Sequence, residues 1–330
     1  MKISVSSLGQ GPGLAWKRNT SSFTPGSLAE LQEWTGGKTE PPEPPWHGEV
    51  DFQQWNTIGW GITDDGILCI KPWEGDAGET GPAIISYDIP WNDQASNIRK
   101  IESTGTIVLN ANSVGLFYDC SDLTDLTGLS DWDVSNVTDM NSMFSNCSSL
   151  TDLTGISGWN VYKVTNMSYM FSNCSSLTDL TGLTSWDVSN VMDMGSMFSD
   201  CSSLTDLTGL TGWNVSDVTN MNRMFQGCSS LTDLTAIKNW NVSNVTEMDS
   251  MFWDCSSLQR IGIPSIANGG MKLVENADMS GIADALPRII SEEDESMRSY
   301  TWDELNTEMT TNPDSFQNGT VWLKAEEVAQ

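Results

Sequence analysis

Oxygen-bearing side chains recur along the middle of this 330-residue chain at a fixed interval of 27 residues. Asp125, Asp152, Asp179, Asp206 and Asp233 share one phase of that interval. Asp133, Asn160, Asp187, Asn214 and Asn241 share a second, and Asp139, Asn166, Asp193, Asn220 and Glu247 a third. Carboxylate and amide oxygens repeated on adjacent segments are the ligand type that calcium takes. No cofactor is expected, and calcium on the first of these ladders is the one candidate to weigh. The opposing consideration is electrostatic, since like charges stacked about 5 Å apart repel. Alternation of Asn with Asp also fits turn and cap chemistry, in which either residue serves.

Cysteine follows the same interval: Cys120, Cys147, Cys174, Cys201, Cys228 and Cys255, with Cys69 left without an evident partner. No Cys-x-x-Cys pair or Cys/His cluster is present, which argues against zinc. The six read first as small buried apolar residues with free thiols. Stacked neighbours would still lie within disulfide reach. His47 is the single histidine and sits beside a proline-rich stretch. A Ser-His-Asp or Cys-His arrangement would have to use it, and nothing around it suggests a buried, oriented base. Gly36, Gly37, Lys38 and Thr39 look superficially like a phosphate loop but lack the upstream glycine and preceding strand. A glycan hydrolase needs only two carboxylates. No acid pair stands out, because a repeated acid is better explained by the repeat. The expectation is a protein that is not an enzyme.

The elements that position these ladders follow from the apolar residues, which keep the same register. Leu123, Leu150, Leu177, Leu204, Leu231 and Leu258 lie three residues after each cysteine, and Leu126, Leu153, Leu180, Leu207, Leu234 and Ile261 six after. Leu129, Ile156, Leu183, Leu210 and Ile237 lie nine after, and Trp132, Trp159, Trp186, Trp213 and Trp240 twelve after. A constant period of this length marks a solenoid in which each repeat is one coil. Met140, Met143, Phe144 and Cys147 lie at i, i+3, i+4 and i+7, which predicts a short helix opened at Asp139. The Leu-x-x-Leu-x-x-Leu run and the Trp–Val segment suit short extended pieces and turns. Each coil is therefore expected to hold a strand, a turn, an extended stretch and a short helix. The cysteine and tryptophan ladders would line its core. Such a coil buries its apolar positions only against its neighbours, so the array needs a cap at both ends.

The string Trp132-Asp-Val-Ser-Asn-Val-Thr-Asp-Met-Asn-Ser-Met-Phe-Ser-Asn-Cys-Ser-Ser-Leu150 resembles the BspA-type leucine-rich repeat of bacterial surface proteins and mycoplasma lipoproteins. The resemblance covers roughly residues 105–263, because the whole unit recurs. Upstream, Gly61–Leu68, Ile98–Ile101 and Leu116–Cys120 resemble that family's N-terminal cap. The resemblance implies an α/β leucine-rich-repeat solenoid used for attachment or recognition, with no catalytic residues to carry over.

Charge narrows the partners. The formal net charge is −29. Residues 118–254 carry 17 acidic side chains against Lys163, Arg223 and Lys238. Such a surface opposes nucleic acid and anionic membranes. No window approaches 18 apolar residues, the length of a spanning helix.

Residues 1–49 read as an extended anchor with a capping box at Ser27–Glu30 and a polyproline linker at Thr39–Trp46. Trp16, Trp34 and Trp46 are its candidates for docking on subunits of a larger assembly. Residues 50–117 read as a β-rich N-terminal cap whose Trp55, Trp60, Trp73 and Trp91 form core. Residues 118–263 form the repeat array, and 264–330 a mixed C-terminal cap. In that cap a short helix is expected over Ser280–Ile290, a second opens at Thr301–Glu304, and Thr320–Leu323 reads as a strand. No leader or lipobox is recognisable near Met1. A surface-type repeat without an export signal leads to the expectation of a virion protein: a phage capsid decoration, head fibre or tail-associated adhesin facing a host protein or glycan. A bacterial cell-surface adhesin is the alternative.

Overall fold

A computed structural model describes residues 50–55, 57–72, 89–262, 289–291, 299–300, 304, 307 and 321–324. Trp16, Trp34, Trp46, His47, Gly36–Thr39 and Trp73 lie outside the described residues. The N-terminal part opens with β1 (Gln53–Trp55), β2 (Ile58–Ile62) and β3 (Ile67–Pro72), paired antiparallel in that order. β4 (Lys100–Ser103) adds to β3 in parallel, so the sheet order is β1-β2-β3-β4. Trp60 and Trp91 are buried, and Trp91 meets Trp55 and Trp60 edge-on at 5.5 and 5.9 Å. These tryptophans are core, as their placement in alternating apolar runs predicts. Trp91 also stacks on Phe117 at 6.3 Å and donates its indole N–H to the Leu116 carbonyl at 3.0 Å. The cap is thereby joined to the first aromatic ring of the array.

β4 is also the edge on which the first coil stacks. Lys100 bridges to Asp125 in parallel, and the Thr124 N–H donates to the Arg99 carbonyl at 3.0 Å. From there each coil repeats one path. A short 3-10 turn follows the second leucine, at Thr127–Leu129, Thr154–Ile156, Thr181–Leu183, Thr208–Leu210 and Thr235–Ile237. The tryptophan comes next, then a turn between the two valines, in which the Val137 N–H donates to the Val134 carbonyl at 2.9 Å. Isolated parallel bridges join successive coils at Asp139–Asn166, Asn166–Asp193, Asp193–Asn220 and Asn220–Glu247. Cys, Leu, Trp, Val, Met and Phe at the repeated phases are all buried and form one continuous core with the cap.

The expected strand and helix of each coil are both corrected. Among the described residues the extended pieces shorten to single bridges, and the Met140–Cys147 segment is not helical. Ser142 and Asn146 take φ of 55° and 64°, and the equivalent residues of the other coils behave alike. Two left-handed residues within eight end any right-handed helix. The backbone donors go sideways instead. N–H groups of Met140, Ser142, Phe144 and Asn146 donate to carbonyls of Asn166, Ser168, Met170 and Ser172 at 2.8–3.0 Å. Those of Met143, Ser145 and Cys147 close three-residue turns on Met140, Ser142 and Phe144. The segment is a coil-to-coil ladder folded into tight turns. Its i, i+3, i+4, i+7 burial survives because those turns also bring every third or fourth residue inward.

The inner edge holds three columns. Rings of Phe117, Phe144, Phe171, Phe198, Phe225 and Phe252 stack at 5.3–5.8 Å. Indole N–H groups of Trp159, Trp186, Trp213 and Trp240 donate to the carbonyls of Leu129, Ile156, Leu183 and Leu210 one coil back, at 3.0–3.3 Å. Thiols of Cys147, Cys174, Cys201, Cys228 and Cys255 donate to the carbonyls of Phe117, Phe144, Phe171, Phe198 and Phe225 at 3.1–3.3 Å. The evenly spaced thiols therefore stand in one column, each adding a second donor to a phenylalanine carbonyl that already accepts a cysteine backbone N–H.

The middle residue of each 3-10 turn sets how closely coils approach. A Cβ at Gly209 would lie 2.0 Å from the Leu180 carbonyl oxygen, and one at Gly155 2.3 Å from that of Leu126. Backbone cannot yield as a side chain does, so Gly209→Ala should cost about 1–3 kcal/mol. The last coil carries Ala236 at this phase, partly buried and packed against the core. Urea denaturation of Gly209→Ala beside Ala236→Gly tests this. An unchanged midpoint for Gly209→Ala would show that the approach does not limit packing.

At the other end β5 (Arg260–Gly262) bridges back to Asp233 and opens a second sheet, order β5-β8-β6-β7. Its other strands are β6 (Ile289–Ser291), β7 (Ser299–Tyr300) and β8 (Val321–Lys324). The strand expected at Thr320–Leu323 corresponds to β8. The helix expected over Ser280–Ile290 does not reach its end, because Ile289 and Ile290 pair with Tyr300 and Ser299. Glu304 and Thr307 are helical, in the segment where the capping box predicts a helix.

Candidate functional site: the exposed exceptions of the repeat

The acidic ladders are placed as turn locks. Asp125, Asp152, Asp179, Asp206 and Asp233 each accept the N–H of the threonine two residues on, at 2.7–3.0 Å. Those threonines start the 3-10 turns, so each carboxylate closes the turn that sets the coil spacing. In the second ladder Asp133, Asn160, Asp187, Asn214 and Asn241 accept from the residue two ahead at 2.9–3.3 Å. In the third, Asp139, Asn166, Asp193 and Asn220 do the same at 2.8–3.0 Å. Only one acceptor oxygen is needed, which explains why Asp and Asn interchange freely. Among the described residues no group of three or more His, Cys, Asp or Glu side chains is placed to hold a metal ion.

The first ladder carries a cation at each end. Lys100 lies 3.5 Å from Asp125 and Arg260 3.0 Å from Asp233. Burial pushes the Asp125 carboxyl upward, but the Thr127 hydrogen bonds and the Lys100 charge outweigh it and hold the group below its ordinary value. The hydrogen bonds from Ser135 lower Asp133 likewise. The thiols move oppositely. Burial pushes Cys69, Cys120 and Cys255 up to about 12, and Cys147, Cys174, Cys201 and Cys228 well above the thiol's usual range. All seven are free and buried. A buried thiol held in its neutral form is a poor nucleophile.

The surface departs from the repeat at a few positions. The exposed phases carry Ser, Thr, Asn and Asp coil after coil. Five large apolar side chains break that rule: Tyr118 (40% exposed), Tyr162 (53%), Tyr169 (46%), Met192 (52%) and Trp253 (49%). Tyr162 stands where other coils have Ser135, Ser189, Ser216 and Ser243. Met192 stands in a column of Thr138, Thr165, Thr219 and Thr246. Tyr169 and Arg223 stand where Ser142, Ser196 and Ser250 stand in the others. Tyr118 and Trp253 occupy the phase of Ser145, Ser172 and Ser199. Within a chain that otherwise repeats itself, these exceptions serve no stacking purpose.

Four of the five line two open depressions on the array, and Trp253 lines neither. One, of about 760 Å³, gathers Tyr162, Lys163, Met192, Asp217 and neighbouring threonines. Lys163 donates there to the Asn136 amide oxygen at 2.9 Å, and the Thr138, Thr165 and Thr219 hydroxyls donate to carbonyls one coil back. The other, of about 550 Å³, runs over five consecutive coils from Tyr118 through Tyr169 to Arg223 and Gln226. Its floor includes Ser145, Ser172, Ser196 and Ser199, all buried. The sequence reading, fixed on the ladders, did not single out these residues. The signal lay in the departures from the repeat.

The described residues that stack as coils coincide with a sequence match to the family described as "Mycoplasma protein of unknown function, DUF285", over residues 111–209 and 179–266. The match supports a BspA-type leucine-rich-repeat family for the array. The BspA-type array is similar to two solved structures. One is a leucine-rich cell surface protein from Faecalibacterium prausnitzii A2-165, 14% identical with a TM-score of 0.34, covering 77% of this chain. This chain spans 61% of that protein's length. The other is a leucine-rich repeat protein from Eubacterium ventriosum ATCC 27560, 14% identical with a TM-score of 0.20, covering 62% of this chain and 82% of the other. No curated protein matches the sequence. No helix among the described residues is long and apolar enough to cross a membrane.

Proposed function

We propose that this chain is a non-enzymatic recognition protein displayed on an outer surface. Its BspA-type array acts as a solenoid scaffold, and the exposed exceptions on it contact the partner. The observation that carries this reading is the set Tyr118, Tyr162, Tyr169, Met192 and Trp253, large side chains held in solvent where the repeat supplies Ser or Thr. Tyr, Trp and Arg dominate contact energetics, and here they replace the small polar residue that the repeat supplies at the same phase. Burial of every thiol and the use of the ladder oxygens in turns fit a scaffold rather than a catalyst.

The carrier surface is read as either a virion or a bacterial cell. The family match supports a surface location. The tryptophan-bearing segment 1–49 would dock the chain on neighbouring subunits through Trp16, Trp34 and Trp46, which supports the virion. Immunogold labelling of producing cells and of the particles they release, with an antibody to the array, tests both. Label on the outside of particles or cells is expected. Label confined to the cell interior would overturn surface display.

A further inference from the structure

We propose that the depression from Tyr118 to Gln226 binds an extended, uncharged polysaccharide chain laid along the array axis. The inference deepens the recognition reading above and rests on it. The strip crosses five coils, and at the usual inter-strand spacing that is roughly 20 Å. Tyr118 and Tyr169 stand two coils apart with a serine floor between them. Arg223 and Gln226 lie two coils further on, and Trp253 continues the line in the next coil, its carbonyl accepting from Gly227 at 2.8 Å. Ring platforms at intervals above a hydroxyl and amide floor match the alternating surfaces of a sugar chain. Its C–H faces stack on the rings, and its hydroxyls bond to Asn146, Asn173, Asp200 and Arg223.

Charge and shape select this occupant. The 17 acidic side chains of residues 118–254 repel an anionic polymer. A strongly cationic peptide would meet Arg223, which makes no ion pair within 4 Å among the described residues, in the last coil of the strip. A protein partner needs a contiguous desolvated apolar centre, whereas here the rings stand singly among serines. Tyr169 and Arg223 take φ of 58° and 57°, a conformation that favours glycine. Nothing in the fold calls for a long side chain at that phase, since Ser142, Ser196 and Ser250 hold it in the other coils.

The test is titration of the full chain with neutral hexasaccharides (cello-, laminari-, xylo- and mannohexaose) and with hexagalacturonate as the acidic counterpart. At least one neutral probe should bind. Its affinity should fall at least tenfold in Tyr118→Ser and in Tyr169→Ser, and stay within twofold in Tyr162→Ser on the other depression. Each change installs the residue that other coils already carry at that phase, so folding is preserved. Circular dichroism of each variant checks this. No neutral binding, binding of hexagalacturonate alone, or affinity untouched by both strip variants would overturn the proposal. Surface label without glycan binding would remove the strip assignment and leave the recognition reading standing. Interior label would remove that reading whatever the titration shows.

Discussion

Replacing Phe198 by alanine should cost about 3–5 kcal/mol, the usual range for emptying a buried aromatic site. Phe198 sits in the middle of the ring column, 5.7 Å from Phe171 and 5.7 Å from Phe225, with interplanar angles of 4° and 9°. Its carbonyl also receives the Cys228 thiol at 3.2 Å. Total stabilities of single domains lie near 5–15 kcal/mol, so one such loss is a large share of the whole. The position adds to the effect. An array is held by nearest-neighbour interfaces, and a weak link at its centre separates two stretches of coils. Urea denaturation should show a lower midpoint and a broader or split transition. Thr178→Ala, on the exposed side of the preceding coil, should change stability by less than about 0.5 kcal/mol. Equal effects from the two changes would mean that the column contributes nothing beyond surface residues.

The second large effect is alkaline unfolding. Burial raises all seven thiols, Cys69, Cys120 and Cys255 to about 12, against an ordinary value of 9.0. A raised folded value means that the native state keeps protons which the unfolded chain releases. Below pH 9 both states hold them and the thiols do not affect the balance. Above it the unfolded state gains about 1.4 kcal/mol per pH unit for each thiol. With seven counted, stability falls by roughly 10 kcal/mol per pH unit. The array should therefore unfold cooperatively one to two units above pH 9. Ellman's reagent should find the native thiols protected at pH 8 and all of them reactive once unfolded. Cys174→Ala should reduce the slope of stability against pH by about one proton, separately from its effect on packing. An unchanged slope, or free reaction of the native column at pH 8, would show that the thiols are not held in a desolvated interior.

The core was legible in the sequence because burial in a stacked array depends on phase alone. Cys120, Leu123, Leu126, Leu129, Trp132, Val134, Val137, Met140, Met143 and Phe144 recur together, and every one is buried. Backbone conformation was less legible. The spacing of Met140, Met143, Phe144 and Cys147 is helical, yet Ser142 and Asn146 turn left-handed and the donors pair with the next coil. One periodicity served two geometries, and local pattern cannot separate a helix from tight turns that also bury every third or fourth residue. The acidic ladders had the same ambiguity, since Asp in a repeated phase suits a metal ligand or a turn lock. The hydrogen bonds from Thr127, Thr154, Thr181, Thr208 and Thr235 place it as the lock.

By itself the sequence determined the repeat, its phase, the identity of the inward residues and the excess of negative charge, because each follows from a period that no folding step can alter. Only the tertiary structure decided how the coils hydrogen-bond, where the thiols donate, and which exceptions share a face. Tyr118, Tyr169 and Arg223 are far apart in the chain, Tyr118 at one phase and the other two at a second. Their meeting along one strip depends on how closely Gly155 and Gly209 let the coils approach. That distance is set by contacts between segments 27 residues apart, which no single repeat contains.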